Sequence, residues 1–142
     1  QQAQQAWQAF GQAIQQGAAR QVAKAEHQIN VLARGRRPLK SQNGITWFRV
    51  RAGRPVSDGE PVRLAMTEKV AGGRTVSTVP SLLLHPGDEM PSVVKDGLHL
   101  PGSGGEVVGY ALARSVYGPL PLPQVVQPWS VMECHLKGGQ AG

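Results

Sequence analysis

Seven turn signals punctuate the chain between residues 43 and 119: Asn43-Gly44, Asp58-Gly59, Gly72-Gly73, Pro86-Gly87, Asp96-Gly97, Gly104-Gly105 and Gly118-Pro119. The runs between them are short and rich in β-branched residues, as in PVRLAMTEKV, RTVSTVPSLLL and EVVGYALARSVY. Short strands at this spacing, with no helical run after residue 40, predict an antiparallel β-sandwich or β-barrel over 44–137. The strongest strand candidate is GEVVGYALARSVYG, closed by Gly105 and Gly118 and carrying Val107, Val108, Tyr110, Leu112, Val116 and Tyr117. The proline run after Gly118 is extended or at a sheet edge, because proline cannot donate to a central ladder. Val125–Leu136 reads as a final strand pair or one strand bent at Pro128, and 138–142 as a frayed tail.

Residues 1–35 are a different kind of sequence. Ten of the first 28 residues are Gln, and no charge appears before Arg20. Trp7, Phe10, Ile14, Val22, Ile29 and Leu32, with Ala3, Ala18 and Ala25 between them, recur in steps of three and four along one stripe of an amphipathic α-helix. Gly35 is a C′ stop and Pro38 ends any continuation, giving a helix of roughly 48 Å at 1.5 Å per residue. Its stripe packs on the chain's own sheet, on a sister copy as an arm, or on a larger partner; these alternatives stay open. Gly11 and Gly17 are sites for a kink.

The stretch from Arg34 to Arg54 holds seven of the 15 Lys and Arg residues. Arg34, Arg36, Arg37 and Lys40 lie on or beside a basic linker, 36–43, and Arg49 and Arg51 fall in the strand ITWFRVRA. Strict alternation sets Ile45, Trp47, Arg49 and Arg51 on one face and Phe48 and Val50 on the other. If the second face points to the core, the first is a basic surface carrying an aromatic. That pattern fits stacking on single-stranded nucleic acid, with the arginines neutralising phosphates.

Catalytic signatures are missing. The four histidines are scattered, and Cys134 and His135 are neighbours that face opposite sides of a strand. No spacing announces zinc, so no metal or cofactor is expected, and His85-Pro86-Gly87-Asp88-Glu89 reads as a polar turn. Ser103 in PGSGGE does not match GxSxG, and the same run lacks the Lys-Ser/Thr of a phosphate loop. With one cysteine there is no intrachain disulfide. No run is apolar enough to span a bilayer, so no membrane partner is expected. QQAQQAWQAF lacks the basic region and apolar core of a signal peptide, and a start at Gln1 rather than Met is consistent with processing or a missing N-terminus. The net charge of +6 favours an acidic partner.

GEVVGYALARSVYGPLPL resembles a stretch of tailed-phage capsid decoration (cement) proteins, in which a loop like DGLHLPGSGGE leads into a strand G-x-V-V-G-x-A. Gly105, Val107, Val108, Gly109 and Ala111 match that form, and Val62–Met66 resembles an earlier strand of such domains. The resemblance implies a non-enzymatic virion protein on the capsid surface, assembled in the bacterial host cytoplasm. Its partners would be the major capsid protein and itself, as dimer or trimer. It would bridge capsomers and stabilise the shell by mass action, with the helix stripe and the basic strip as docking surfaces. A nucleic-acid-binding β-barrel and another virion part, in the tail or connector, are the alternatives.

Overall fold

The computed structural model describes residues 2–123 and 126–139. Helix α1 runs unbroken from Gln2–Ala33, through both interior glycines. Six strands follow: β1 (Lys40–Gln42), β2 (Ile45–Arg51), β3 (Val62–Val70), β4 (Thr75–Leu84), β5 (Glu106–Leu112) and β6 (Val131–Gly138). They form one antiparallel sheet in the order β1-β2-β5-β6-β3-β4. The mainly antiparallel β architecture behind a long N-terminal helix is the one the sequence predicts. The sheet is single, so helices and loops rather than a second sheet cover its faces.

The Asn43-Gly44 signal is a tight hairpin turn, with φ of 55° and 78°, both positive as a type I′ turn requires. It joins β1 to β2, so the sheet begins inside the stretch read as a linker. β6 is one strand starting at Val131, beyond Pro128. Val125 and the last three residues of the 138–142 tail lie outside the described residues.

Two short helices correct the expectation of none after residue 40: α2 (Ser92–Gly97) and α3 (Ala113–Tyr117). At six and five residues they are too brief to show a 3.6-residue period. α3 occupies what read as the second half of a strand; β5 ends at Leu112, and Gly118 (φ 57°) closes the turn behind α3.

Both faces of the central strands are buried. On the front, α2 and α3 supply Val93, Val94 and Val116 to a core with Ile45, Trp47, Leu64, Val107, Met132 and Leu136. On the back, the second half of α1 lies over the central strands. Ala25 packs with Leu112 and Val131, and Ile29 and Leu32 pack with Phe48, Val108 and Tyr110. Val22 joins the same contact. The first half of the stripe stays bare: Trp7, Phe10 and Ile14 are 72%, 59% and 58% exposed, with Trp7 edge-on to Phe10 at 6.2 Å.

Candidate functional site

Trp47 is 0% exposed. It faces the front core from β2, not the solvent, which removes the aromatic platform expected for nucleic acid. Its ring lies between two glycines: a Cβ on Gly97 of α2 or Gly109 of β5 would come within 2.9 or 2.8 Å of it. Gly109 belongs to the G-x-V-V-G motif, so that motif is a packing requirement of this indole.

The basic strip divides. The Arg36 guanidinium sits 4.6 Å above the Phe48 ring and 5.7 Å from that of Tyr110, and its Nη1 donates to the Tyr110 hydroxyl at 3.1 Å. This cation–π contact fastens the end of α1 to the sheet. Lys40 donates to the Asp96 carbonyl at 3.0 Å, tying β1 to α2. Arg51 Nε donates to the Gly104 carbonyl at 3.0 Å. Arg34, Arg37 and Arg49 are exposed.

Of the groups weighed for chemistry, His85 and Asp88 close a polar turn, His85 N–H donating to Asp88 Oδ2 at 2.9 Å. Cys134 and His135 do point to opposite faces. His135 lies on the back, 3.3 Å from Glu106 and 3.1 Å from Glu133, with Lys137 and Lys69 on those same carboxylates. Ser103 donates to the Gly139 carbonyl at 3.2 Å. A cleft of about 270 Å³ at the Val62 end of β3 is walled by Val56, Leu64, Leu83 and Leu98, with Glu60 and Arg63 beside it. It brings no titratable cluster together.

Sequence reasoning passed over a site at the other end of β3. Glu68 is the one charged residue buried among those described, at 6% exposure. Alternation places it on the front face, between Met66 and Val70 and opposite Cys134. Its Oε2 accepts a hydrogen bond from the Tyr117 hydroxyl of α3 at 2.7 Å. The register slips at Glu68/Lys69, so Val76 of β4 is a bulged residue without a cross-strand partner. Met66, Val70, Val76, Met90, Tyr117 and Leu122 are half-buried and pack against the front core.

The electrostatics agree with the geometry. Burial, then the hydrogen bond to Glu68 and its charge, push the Tyr117 hydroxyl well above its ordinary value of 10.0. Burial, then the same carboxylate, raise the Cys134 thiol well above 9.0. Tyr117 therefore stays a donor, and Cys134 a protonated thiol unsuited to nucleophilic attack. The arrangement is an apolar, half-open face with one buried carboxylate and nothing built to break a bond. Its only sequence signal was Glu68 among the apolar residues Val62, Leu64, Met66 and Val70 on the core-facing side of β3.

No protein-family model and no curated protein matches the chain. Solved structures do. FkpA from Escherichia coli aligns over 96% of this chain and 70% of its own, with a TM-score of 0.61 and 18% identity. A peptidyl-prolyl cis-trans isomerase from Pseudomonas syringae pv. tomato aligns over 83% and 91%, with a TM-score of 0.61 and 14% identity. AtFKBP13 aligns over 74% and 99%, with a TM-score of 0.56 and 16% identity. The fold is FKBP-like. This overturns the resemblance to capsid decoration proteins and, with it, the cement function: the motif that carried it is the central strand of a fold shared with isomerases. The inference from missing catalytic motifs to a non-enzyme is overturned too. The shell partner and virion location are left without support. No helix among the described residues is long and apolar enough to cross a membrane.

Proposed function

We propose that this chain is a peptidyl-prolyl cis–trans isomerase acting on proline-containing peptide segments at the face around Glu68 and Tyr117. The observation that carries the reading is this half-buried apolar face, set on a fold whose solved neighbours include a peptidyl-prolyl isomerase. Rotation about an Xaa–Pro bond breaks no covalent bond; its barrier of about 18–20 kcal/mol is the lost amide resonance. The twisted amide is less charge-separated than the planar one, so an apolar surface that displaces water favours it relative to solvent. Met66, Val76 and Leu122 offer such a surface to a proline ring, and no nucleophile, metal or cofactor is needed.

The test is exchange NMR on the peptide Ala-Leu-Pro-Phe. Uncatalysed exchange takes tens of seconds. Micromolar protein is expected to raise the rate at least about tenfold, and Met66→Asp, which puts a charge on the apolar wall, is expected to lose most of that gain. An unaltered rate with the folded wild-type protein overturns the reading.

The bare half of α1 has its own partner, a second copy of this chain. Residues 2–19 carry no charge, so nothing there selects an oppositely charged protein, and two chains of net charge +6 meet along them with least repulsion. Gly11 and Gly17 each weaken a helix by about 0.5–1 kcal/mol relative to Ala, yet nothing in the chain lies within 4 Å of where their Cβ atoms would be. They leave a smooth path for a second helix. Light scattering is expected to give twice 15.1 kDa for the wild type. The double variant Trp7→Ala, Phe10→Ala should be monomeric with an unchanged melting temperature, since both side chains are exposed on the half of α1 that runs past the sheet. A wild type that stays monomeric at about 100 μM, well above a micromolar Kd, sinks the idea.

A further inference from the structure

We propose that Glu68 makes this site selective for a cationic residue, Lys or Arg, next to the client proline. The inference rests on the isomerase reading above and adds a substrate class to it.

Glu68 is a carboxylate in an apolar setting with no cation of its own. None of the ion pairs among the described residues includes it. Lys69 points to the other face and pairs with Glu133. A buried charge without a counter-charge is costly, and cores rarely keep one without a use. Tyr117 satisfies only Oε2. The sole sealed, unpartnered side-chain polar atom among the described residues is Trp47 Nε1, so Glu68 Oε1 is not shut inside the core. It is an acceptor still open toward the half-buried face.

The walls suit a long cationic side chain. Met66 and Val70 flank Glu68 on β3, and the bulged Val76 stands across from it. A lysine or arginine can lay its methylene stem on these aliphatic groups and bring its head to the carboxylate. An acidic client residue meets repulsion at the same place, and an aliphatic one leaves the carboxylate uncompensated. The overall charge of +6 opposes a cationic client at long range, but salt screens that field beyond about 8 Å and leaves a contact pair intact.

The experiment measures kcat/KM by exchange NMR for Ala-Xaa-Pro-Phe with Xaa Lys, Leu or Glu. The expected order is Lys, Leu, Glu, with Lys ahead of Leu by about tenfold, the effect of one partly desolvated charge pair. Glu68→Gln keeps an acceptor for Tyr117 and removes the charge; it should bring the Lys:Leu ratio close to one. Tyr117→Phe keeps the charge and should keep the ratio, which separates selectivity from a role for Glu68 in holding α3. Turnover of the Leu peptide with equal Lys and Leu rates overturns the selectivity and leaves the isomerase reading standing. If no peptide turns over, the isomerase reading falls, and NMR titration with the same peptides decides the rest. Tighter binding of the Lys peptide that Glu68→Gln abolishes sustains the site, and equal binding overturns it.

Discussion

Trp47→Ala is expected to lower the free energy of unfolding by about 3–5 kcal/mol, the usual result of emptying a buried aromatic site. The ring is fully enclosed and touches α2, β5 and β6 at once, since Gly97, Gly109 and Leu136 all close on the same space. No flexible chain end can collapse into the gap. Against a total of about 5–15 kcal/mol for a typical domain, the loss is visible as a large drop in the urea midpoint. Trp47→Phe should lose much less, because it keeps most of the ring and also removes the unpartnered Nε1–H, whose burial carries its own penalty of about 1–3 kcal/mol. Arg49→Ala, two residues along the strand and exposed, is expected to stay within about 0.5 kcal/mol of wild type. Equal effects of Trp47→Ala and Arg49→Ala would show that the indole is not in the core.

Gly109→Ala gives the second large effect, by the opposite route. Its Cβ would come within 2.8 Å of the Trp47 ring and 3.1 Å of Ile45. Both neighbours are buried and rigid, so the strain spreads into the strands, for about 1–3 kcal/mol of overpacking. The two substitutions should be strongly non-additive. With Trp47 already alanine, the contact at 2.8 Å is gone and only the one with Ile45 remains, so Gly109→Ala should cost much less in a double-mutant cycle. Additive losses would mean that Gly109 serves backbone geometry rather than the indole.

That pair explains one misreading. Alternation along ITWFRVRA correctly sorts Trp47 from Phe48, but the step from alternation to exposure assumes a sheet wet on one side. Here α1 covers one face and α2 with α3 the other, so both aromatics are buried. Arg49 and Arg51 escape only near a register slip at the strand end. Likewise the helix stripe is one pattern with two environments: Val22, Ile29 and Leu32 meet the sheet, while Trp7, Phe10 and Ile14 run past it. A periodicity tells which residues share a face, not where the partner surface ends.

The functional misreading has a chemical cause. Hydrolases and transferases need a nucleophile, a base or a metal, and those leave spacings in a sequence. Prolyl isomerisation, the activity proposed for this chain, would need only a shaped, water-poor surface, and half-buried Met, Val and Leu residues look like any core. Gly109 within G-x-V-V-G-x-A pointed to a family by pattern alone, when its physical content was clearance for an indole.

What the sequence by itself determined is local. The long helix, the Asn43-Gly44 hairpin, the strand-rich remainder and the opposed faces of Cys134 and His135 all follow from propensity, period and the φ values that turns demand, which neighbouring residues settle among themselves. The tertiary structure decided the rest: the sheet order, the two short helices, the enclosure of Trp47 and the meeting of Glu68 with Tyr117 across 49 residues. Those depend on which distant segments pair, and pairing is governed by burial summed over both faces of the whole sheet. No single window of sequence contains that sum.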